Sequence, residues 1–464
     1  MSKIGFDYPK ELRETALYEA EEWYQDFLAK KLDRPYSPIK RSNFGQYSMP
    51  VNFLTSVIEE ARAVNNAAIF NIDHMAQISV KGKDATRLLQ RVLPADVEQM
   101  KIGQCKYTLL LTPEGTVLDD MIMMKLANNE YILVINAGHD ITDRVMIDGK
   151  EIEFLSDADY INSYREDGEE VNITDISDQL VKIDIQGRYS YRILSQLYGN
   201  KVLRNRNKPD KNMGFFTFNE FDYNGKRCIF SRTGYTNRWG WEMYFPKEYA
   251  ADEFRRLIEA AFSLGGMAVG LGGRDENRIS AGNFGLPLYG HEYDRYHTPT
   301  NAPLFKAAFD MYKDDFIGKQ AIDKDISAGI DKRMVLFITE GIVSGRGIYK
   351  DGKRLGSVTS SINSPNIPLE KRLYIESDRR GVNEENGIAA IGLGWLYNNP
   401  FQVDDKGNDI LVKGEEGVKI KVNFFREDKD RKPIGKPVKG FISGDGVNPA
   451  TAPRALKAIE KLKS

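Results

Sequence analysis

AAIFNIDHMAQISVKGKDATRLLQRVL (67–93) decides how this chain folds, because its apolar period changes partway along. Ala76, Ile78 and Val80 alternate as a half-buried strand does, Gly82 closes the run, and KDATRLLQRVL (83–93) continues at helical spacing. The next apolar segment, YTLLLTPEGTVLDDMIMMKLANNEYILVINA (107–137), reads as three strands joined by turns at Pro113-Glu114-Gly115 and Asn128-Asn129, an antiparallel meander. Further on, VKIDIQG (181–187) suggests a strand and YSYRILSQLYG (189–199) a helix. RCIFSRTGYTNRWGWEMYFP (227–246) suggests two strands around a glycine turn, and YAADEFRRLIEAAFSLGG (249–266) a helix ending at Gly265. Upstream, residues 56–65 read as helical. Residues 9–32 place Leu17, Ala20, Tyr24 and Leu28 on one face and glutamates on the other, an amphipathic helix stopped by Asp33-Arg34-Pro35. Interleaved strands and helices over 51–325 make an α+β body. SYREDGEEVNITDISDQ (163–179) reads as a surface loop or linker, and no internal repeat is legible.

The pattern changes near Lys324-Asp325. From Arg333 to about Glu427 short strands alternate with turns, with almost no helical period, which predicts a small β-barrel or sandwich. Residues 428–450 are rich in Gly, Pro and Lys, and 452–463 can form a last helix. At roughly 150 residues per domain, 464 residues make about three domains. Sixty-five basic residues against 67 acidic ones leave a net charge of −2, which lacks the basic footprint of a nucleic-acid binder. The amino terminus has no apolar signal core, no run approaches the roughly 20 apolar residues of a membrane span, and Cys105 and Cys228 lack metal spacing. A cytoplasmic protein with reduced thiols and no membrane partner is expected.

No phosphate-loop, dinucleotide, HExxH or GxSxG motif is present. Of the histidines, HEYDRYH (291–297) adds carboxylates to two imidazoles but reads as a solvated loop with a hydrogen-bonded His291, so no metal is expected. Isolated polar residues remain. On spacing alone, Asp96 in LPADV reads as a helix cap, Asp119-Asp120 as a turn or strand-edge pair, and Arg274 as a salt-bridge partner of Asp275 or a helix start. Glu242 projects to the same strand face as Gly240.

Together, ordered segments of the chain resemble the tetrahydrofolate-dependent aminomethyltransferase family, typified by the glycine-cleavage T protein. They include FNIDHMAQISVKGKDATRLLQRVLPADV (70–97), GQCKYTLLLTPEGTVLDDMI (103–122), INAGHD (135–140), SRTGYT (231–236), GWE (240–242), GLGGRDENRISAG (270–282), LPLYGH (286–291), DFIGKQAI (315–322) and GSVTSSINSP (356–365). The family also holds O-, N- and S-demethylases. The resemblance implies an N-terminal helical extension (1–48), a body of two related folate-binding α+β subdomains (49–325), a C-terminal β-barrel (326–427) and a tail with a short helix (428–464).

The resemblance also implies tetrahydrofolate as one-carbon acceptor, with Glu242 accepting paired hydrogen bonds from the pterin edge, Tyr235 lining the ring site and Arg274 orienting carboxylates. It makes Asp96 the catalytic aspartate, and Tyr107 and Met49 weaker pocket residues. The chain departs from the T-protein pattern at Thr112, Asn237-Arg238-Trp239, Ser280, residues 283–285 and TPTNAPLFK (298–306). With the bulk of Trp239, Trp241 and Phe305 and the added N-terminal helix, these departures favour a methyltransferase that demethylates a small O-, N- or S-methyl donor and forms methyltetrahydrofolate. The alternatives are a T protein acting on an aminomethylated lipoyl carrier protein, and a non-catalytic folate binder.

Overall fold

The computed structural model describes residues 12–147, 150–281, 285–302, 304–310, 312–328, 332–365, 389–397 and 419–443. The helix expected at 452–463 lies outside them. The fold is α+β, and sheets dominate it.

Two sheets form the body, and each is built from the same unit. In the first, strand Ala76–Lys81 runs through Gly82 into helix Ala85–Val92, followed by the meander Cys105–Leu111, Val117–Ala127, Glu130–Ile135. In the second, strand Leu180–Gln186 runs through Gly187 into helix Ser190–Tyr198, followed by Phe218–Tyr223, Lys226–Ser231, Gly240–Pro246. Ile78, Val80, Gly82, Arg87 and Leu89 correspond to Ile183, Ile185, Gly187, Arg192 and Leu194.

The chain therefore does contain an internal repeat, contrary to the sequence expectation. Few matched residues fall in any one window, because the repeat conserves faces and glycines rather than long identities. Both glycines sit at positive φ, +137° and +130°. A Cβ on Gly82 would lie 2.2 Å from the Glu170 carbonyl oxygen, and one on Gly187 would lie 2.4 Å from that of Asn66. Only glycine permits that backbone approach.

The two units are joined by exchanged strands. Ala68–Asn71 leads into the first unit but pairs antiparallel with Leu180–Gln186 of the second. Asn172–Asp175 leads into the second but pairs with Ala76–Lys81 of the first. Within the acidic stretch 163–179, Asn172–Asp175 is thus a sheet strand, so the stretch is not a free linker. It is also anchored, since Arg91 and Arg87 bind the fully buried Glu169 carboxylate. Hydrogen bonding from Arg91 above all holds that acid down at about 2.

Period-2 alternation sorts side chains between layers. Val181, Ile183 and Ile185 of the second sheet pack with Trp241, Met243 and Phe245 against helix Lys247–Phe262. Helix Tyr18–Leu32 joins this outer layer: Phe27 meets Phe262, and the Ala268 N–H donates to the Tyr24 hydroxyl. No helix among the described residues is long and apolar enough to cross a membrane.

A closed barrel of six strands follows: Lys332–Thr339, Ala389–Tyr397, Lys353–Ser364, Gly347–Lys350, Lys419–Glu427 and Pro433–Ser443. Its last strand lies beyond residue 427, where the sequence placed the barrel's end. Val335, Phe337, Ile348, Phe424 and Ile442 fill its interior. Met334, Leu336 and Trp395 face outward onto Tyr107, Leu109 and Phe305. HEYDRYH is not the solvated loop expected. Glu292 is fully buried, ion-paired at 2.9 Å to a fully buried Arg278 and bonded by Ser360 of the barrel. Removing either partner of such a pair costs about 3–5 kcal/mol. His291 does bond Ser360 as expected.

Candidate functional site

The inner faces of the two sheets meet through Cys105, Met124, Ile132 and Val134 on one side and Phe218, Ile229 and Tyr244 on the other. Two residues from Cys105 and Tyr244 the apolar contact gives way to Tyr107 and Glu242, with Lys182 on the strand beside Tyr244 and Asp120 and Asp184 beyond. The polar groups of the site thus come from the same strand faces that bind the sheets together.

Lys182, Asp184 and Gln186 alternate inward on the second sheet. Glu242 stands directly across from Asp184. Its Oε1 lies 3.4 Å from the Lys182 ammonium, and its Oε2 accepts from Thr233 at 2.5 Å. Gln186 donates to Asp184 at 2.7 Å and accepts from Thr236. Burial, and then the facing Glu242, push the Asp184 carboxyl well up, while burial pulls the Lys182 ammonium down. A Cβ on Gly240 would fall 2.3 Å from the Gln186 side chain, which explains the glycine before Trp241 and Glu242.

Two polar groups at this face, one half-buried and one buried, lack hydrogen-bonded protein partners among the described residues. The Arg274 guanidinium lies over the Tyr235 ring, 4.8 Å from its centroid, and makes no hydrogen bond or ion pair among the described residues. Asp275, its expected partner, pairs with Arg278 instead. His74 is 2 % exposed with neither ring nitrogen bonded. Burial and the nearby Arg274 and Lys182 charges hold its imidazole neutral. Buried donors left open in this way are costly unless a ligand satisfies them.

The first sheet supplies the other wall. Asp120 accepts from the Tyr107 hydroxyl at 3.1 Å and from the Asn136 amide at 2.9 Å. Burial raises its carboxyl to about 6, so it titrates within reach of neutral pH. The Asp119-Asp120 pair is therefore not a turn or sheet edge. It lies inside strand Val117–Ala127, and Asp119 is buried. Tyr235 joins the walls: its hydroxyl donates to the Pro287 carbonyl, and it lies within electrostatic range of both Asp120 and Arg274.

Glu242, Tyr235, Arg274 and Tyr107 are thus brought together, and Asp96 is not among them. Asp96 sits just after helix Ala85–Val92, where its Oδ1 accepts from the Gln99 N–H and from Gln90, close to Lys313. No helix starts directly after Asp96, so these bonds brace a turn and the helix cap expected from its spacing does not form. Met49 is buried on strand Tyr47–Asn52, and the methionine sulfur that meets Lys182, at 3.8 Å, belongs to Met75. Sequence reasoning missed His74, Met75, Lys182 and Asp184 and misplaced Asp120. Inward polar residues at every second position of an otherwise apolar strand were the available signal.

Trp241 faces the outer core, not the site. Trp239 is half exposed under the Arg232 guanidinium, 4.0 Å from its ring centroid, and Phe305 packs at a tilt on Phe309 in the barrel contact. Residues 283 and 284 lie outside the described residues. Among the described residues, the ligand atoms of Asp119, His139 and Asp157 fall within 4.8 Å of one another. Both Asp119 oxygens already accept from Asn136, and His139 Nδ1 faces Asp157 at 3.3 Å, an arrangement of an ion-paired imidazole rather than of metal ligands.

Residues 40–309 match the family of the GCVT N-terminal domain. The chain is 35% identical over 370 residues to an aminomethyltransferase of Caldanaerobacter subterraneus subsp. tengcongensis, covering 78% of this chain and 87% of that protein. To the aminomethyltransferase of Bacillus subtilis it is 31% identical, covering 77% and 88%. The structure of glycine cleavage system aminomethyltransferase T from Bartonella henselae shares the fold, with a TM-score of 0.69 at 23% identity over 94% of this chain and 99% of that one. The chain belongs to the GCVT family, the family of these aminomethyltransferases.

Proposed function

We propose that this enzyme is a tetrahydrofolate-dependent aminomethyltransferase that takes its one-carbon unit from an aminomethylated lipoyl carrier protein. In that reaction the carbon–sulfur and carbon–nitrogen bonds of the S–CH2–NH2 group break. The lipoyl thiol and ammonia leave, and the methylene carbon bridges two folate nitrogens that each give up a proton. Folate supplies the accepting nitrogens.

The observation that carries this reading is the pairing of unlike walls: a tyrosine-bonded Asp120 opposite Glu242, Lys182 and a cation, Arg274, that the protein leaves unpaired. Glu242 can accept two N–H bonds from a pterin edge, Tyr235 offers a ring face, and Arg274 and His74 gain the partners they lack. Asp120 takes over the role the sequence gave Asp96. Poised at about 6, it exchanges protons at the nitrogen that meets the carbon and steadies positive charge there.

The small-donor demethylase expected first loses its support. Trp241 and the N-terminal helix belong to the outer layer, and the relatives are named aminomethyltransferases. The test is to incubate the purified protein with tetrahydrofolate and an aminomethylated lipoyl carrier protein, reading ammonia and methylenetetrahydrofolate. A parallel screen of methylated betaines, amines, ethers and sulfonium compounds reads methyltetrahydrofolate. Turnover in the screen alone would reverse the assignment.

A further inference from the structure

The mechanism above leaves a buried imidazole beside the reactive wall unused. His139 follows strand Glu130–Ile135, is 7 % exposed, and lies between Asp119, at 3.8 Å, and Asp157, at 3.3 Å. The Asp157 N–H donates to the His139 carbonyl and fixes helix Asp157–Ser163 against it. One side-chain amide, that of Asn136, donates to Asp119 at 2.7 Å and to Asp120 at 2.9 Å. Three carboxylates therefore share one buried region, two of them through a single amide.

Like charges so placed cannot all ionise without a cation. Two cations face the cluster. Arg295 is held over the Phe154 ring, 4.2 Å from its centroid, and acts near Tyr289, whose ring meets His139 edge-on at 4.7 Å. Among the described residues, His139 is the cation in direct contact with Asp119 and Asp157.

We propose that His139 is a positioning residue whose imidazolium, locked between Asp119 and Asp157, sets the charge state of Asp120 through the shared Asn136 amide. The inference rests on the reading that Asp120 is the acid–base group. Burial pulls the imidazole down, but Asp119 and then Asp157 outweigh it and hold His139 at about 9, with Arg295 opposing them. His139 is thus charged across the range in which Asp120 titrates. Without it, Asp120 keeps its proton to higher pH.

The test is the pH profile of kcat and KM for the full chain carrying His139→Gln. Its acid limb is expected to move up by about one unit, the scale of one lost opposite charge. The charge-balanced double variant His139→Gln/Asp157→Asn is expected to move it back toward wild type. A uniform loss of rate with the limb unmoved, or a double variant no closer to wild type than the single, would overturn the proposal.

A carbon-13 titration of the Asp120 carboxyl in the same proteins needs no turnover. It therefore decides this point even if aminomethyl transfer is absent, and an unmoved carboxyl titration also counts against the proposal. Should His139→Gln fail to fold, nitrogen-15 spectra of the wild-type imidazole replace it: a charged His139 at pH 8 is expected, and a neutral one at pH 7 refutes the idea.

Discussion

The two sheets repeat one unit, yet their facing walls carry different chemistry. The second sheet presents Lys182, Asp184, Gln186 and Glu242, cross-bonded by Thr233 and Thr236, with Arg274 and His74 open toward a ligand. The first presents one acid and one phenol, Asp120 and Tyr107, with Asn136 joining Asp120 to Asp119 behind it. A wall of satisfied polar bonds is rigid and selective. A desolvated acid has its proton affinity raised toward neutral pH. On the proposed function, two copies of one unit thus divide recognition from reaction, and each wall is open to a test that the other should not answer.

The largest expected effect is on the reactive wall. Asp120→Asn should lower kcat by about 10²–10⁴, the usual worth of a positioned acid–base group, while calorimetry finds folate affinity nearly unchanged. Because burial raises Asp120 to about 6, it is protonated below that pH and ionised above it. Wild-type activity that needs the carboxylate should therefore rise through pH 6, and the rise should vanish in Asp120→Asn. A variant with more than a tenth of normal turnover would end the division of labour.

On the recognition wall, Glu242→Gln strips the buried Lys182 of its carboxylate. Folate Kd should weaken about 10- to 100-fold, corresponding to the 1.5–3 kcal/mol of a charged hydrogen bond, with kcat at saturation far less affected. The reverse split between Kd and kcat would exchange the roles of the two walls.

The shared scaffold predicts equality instead of contrast. Gly82→Ala and Gly187→Ala each force a Cβ against a carbonyl at positive φ, and each should cost about 1–3 kcal/mol or more in urea unfolding. Unequal losses would mean that the halves have diverged in backbone as well as in side chains. The smallest effect belongs to Asp96→Asn. With its Oδ1 occupied by Gln99 and Gln90, loss of the charge should alter kcat by no more than about threefold and stability by no more than the roughly 1 kcal/mol of a hydrogen bond.

Much of this was legible along the chain. Ala76, Ile78 and Val80 before Gly82 announced the strand–turn–helix unit, and TGYT followed by GWE placed Tyr235 and Glu242 on one wall. Asp96 and Asp120 show where legibility stops. Both interrupt apolar surroundings, and the first looked the more awkward charge. Which acid is desolvated depends on Tyr107, thirteen residues away across a strand pair, and on Asn136 from a third strand. Trp241 fails in the same way: its neighbours in sequence gave it bulk, while its strand face sent it to the outer core.

The sequence by itself determined most elements and their order, because period, glycine turns and helix stops are local properties of consecutive residues, and its ordered segments carried the family resemblance. Only the tertiary structure decided which faces meet. The exchange of Ala68–Asn71 and Asn172–Asp175 between sheets, the opposition of Asp184 to Glu242 and the isolation of Arg274 all depend on pairings far apart in the chain. Desolvation and charge proximity, the quantities that separate an acid poised for proton exchange from one that braces a turn, come into being only when those pairings close.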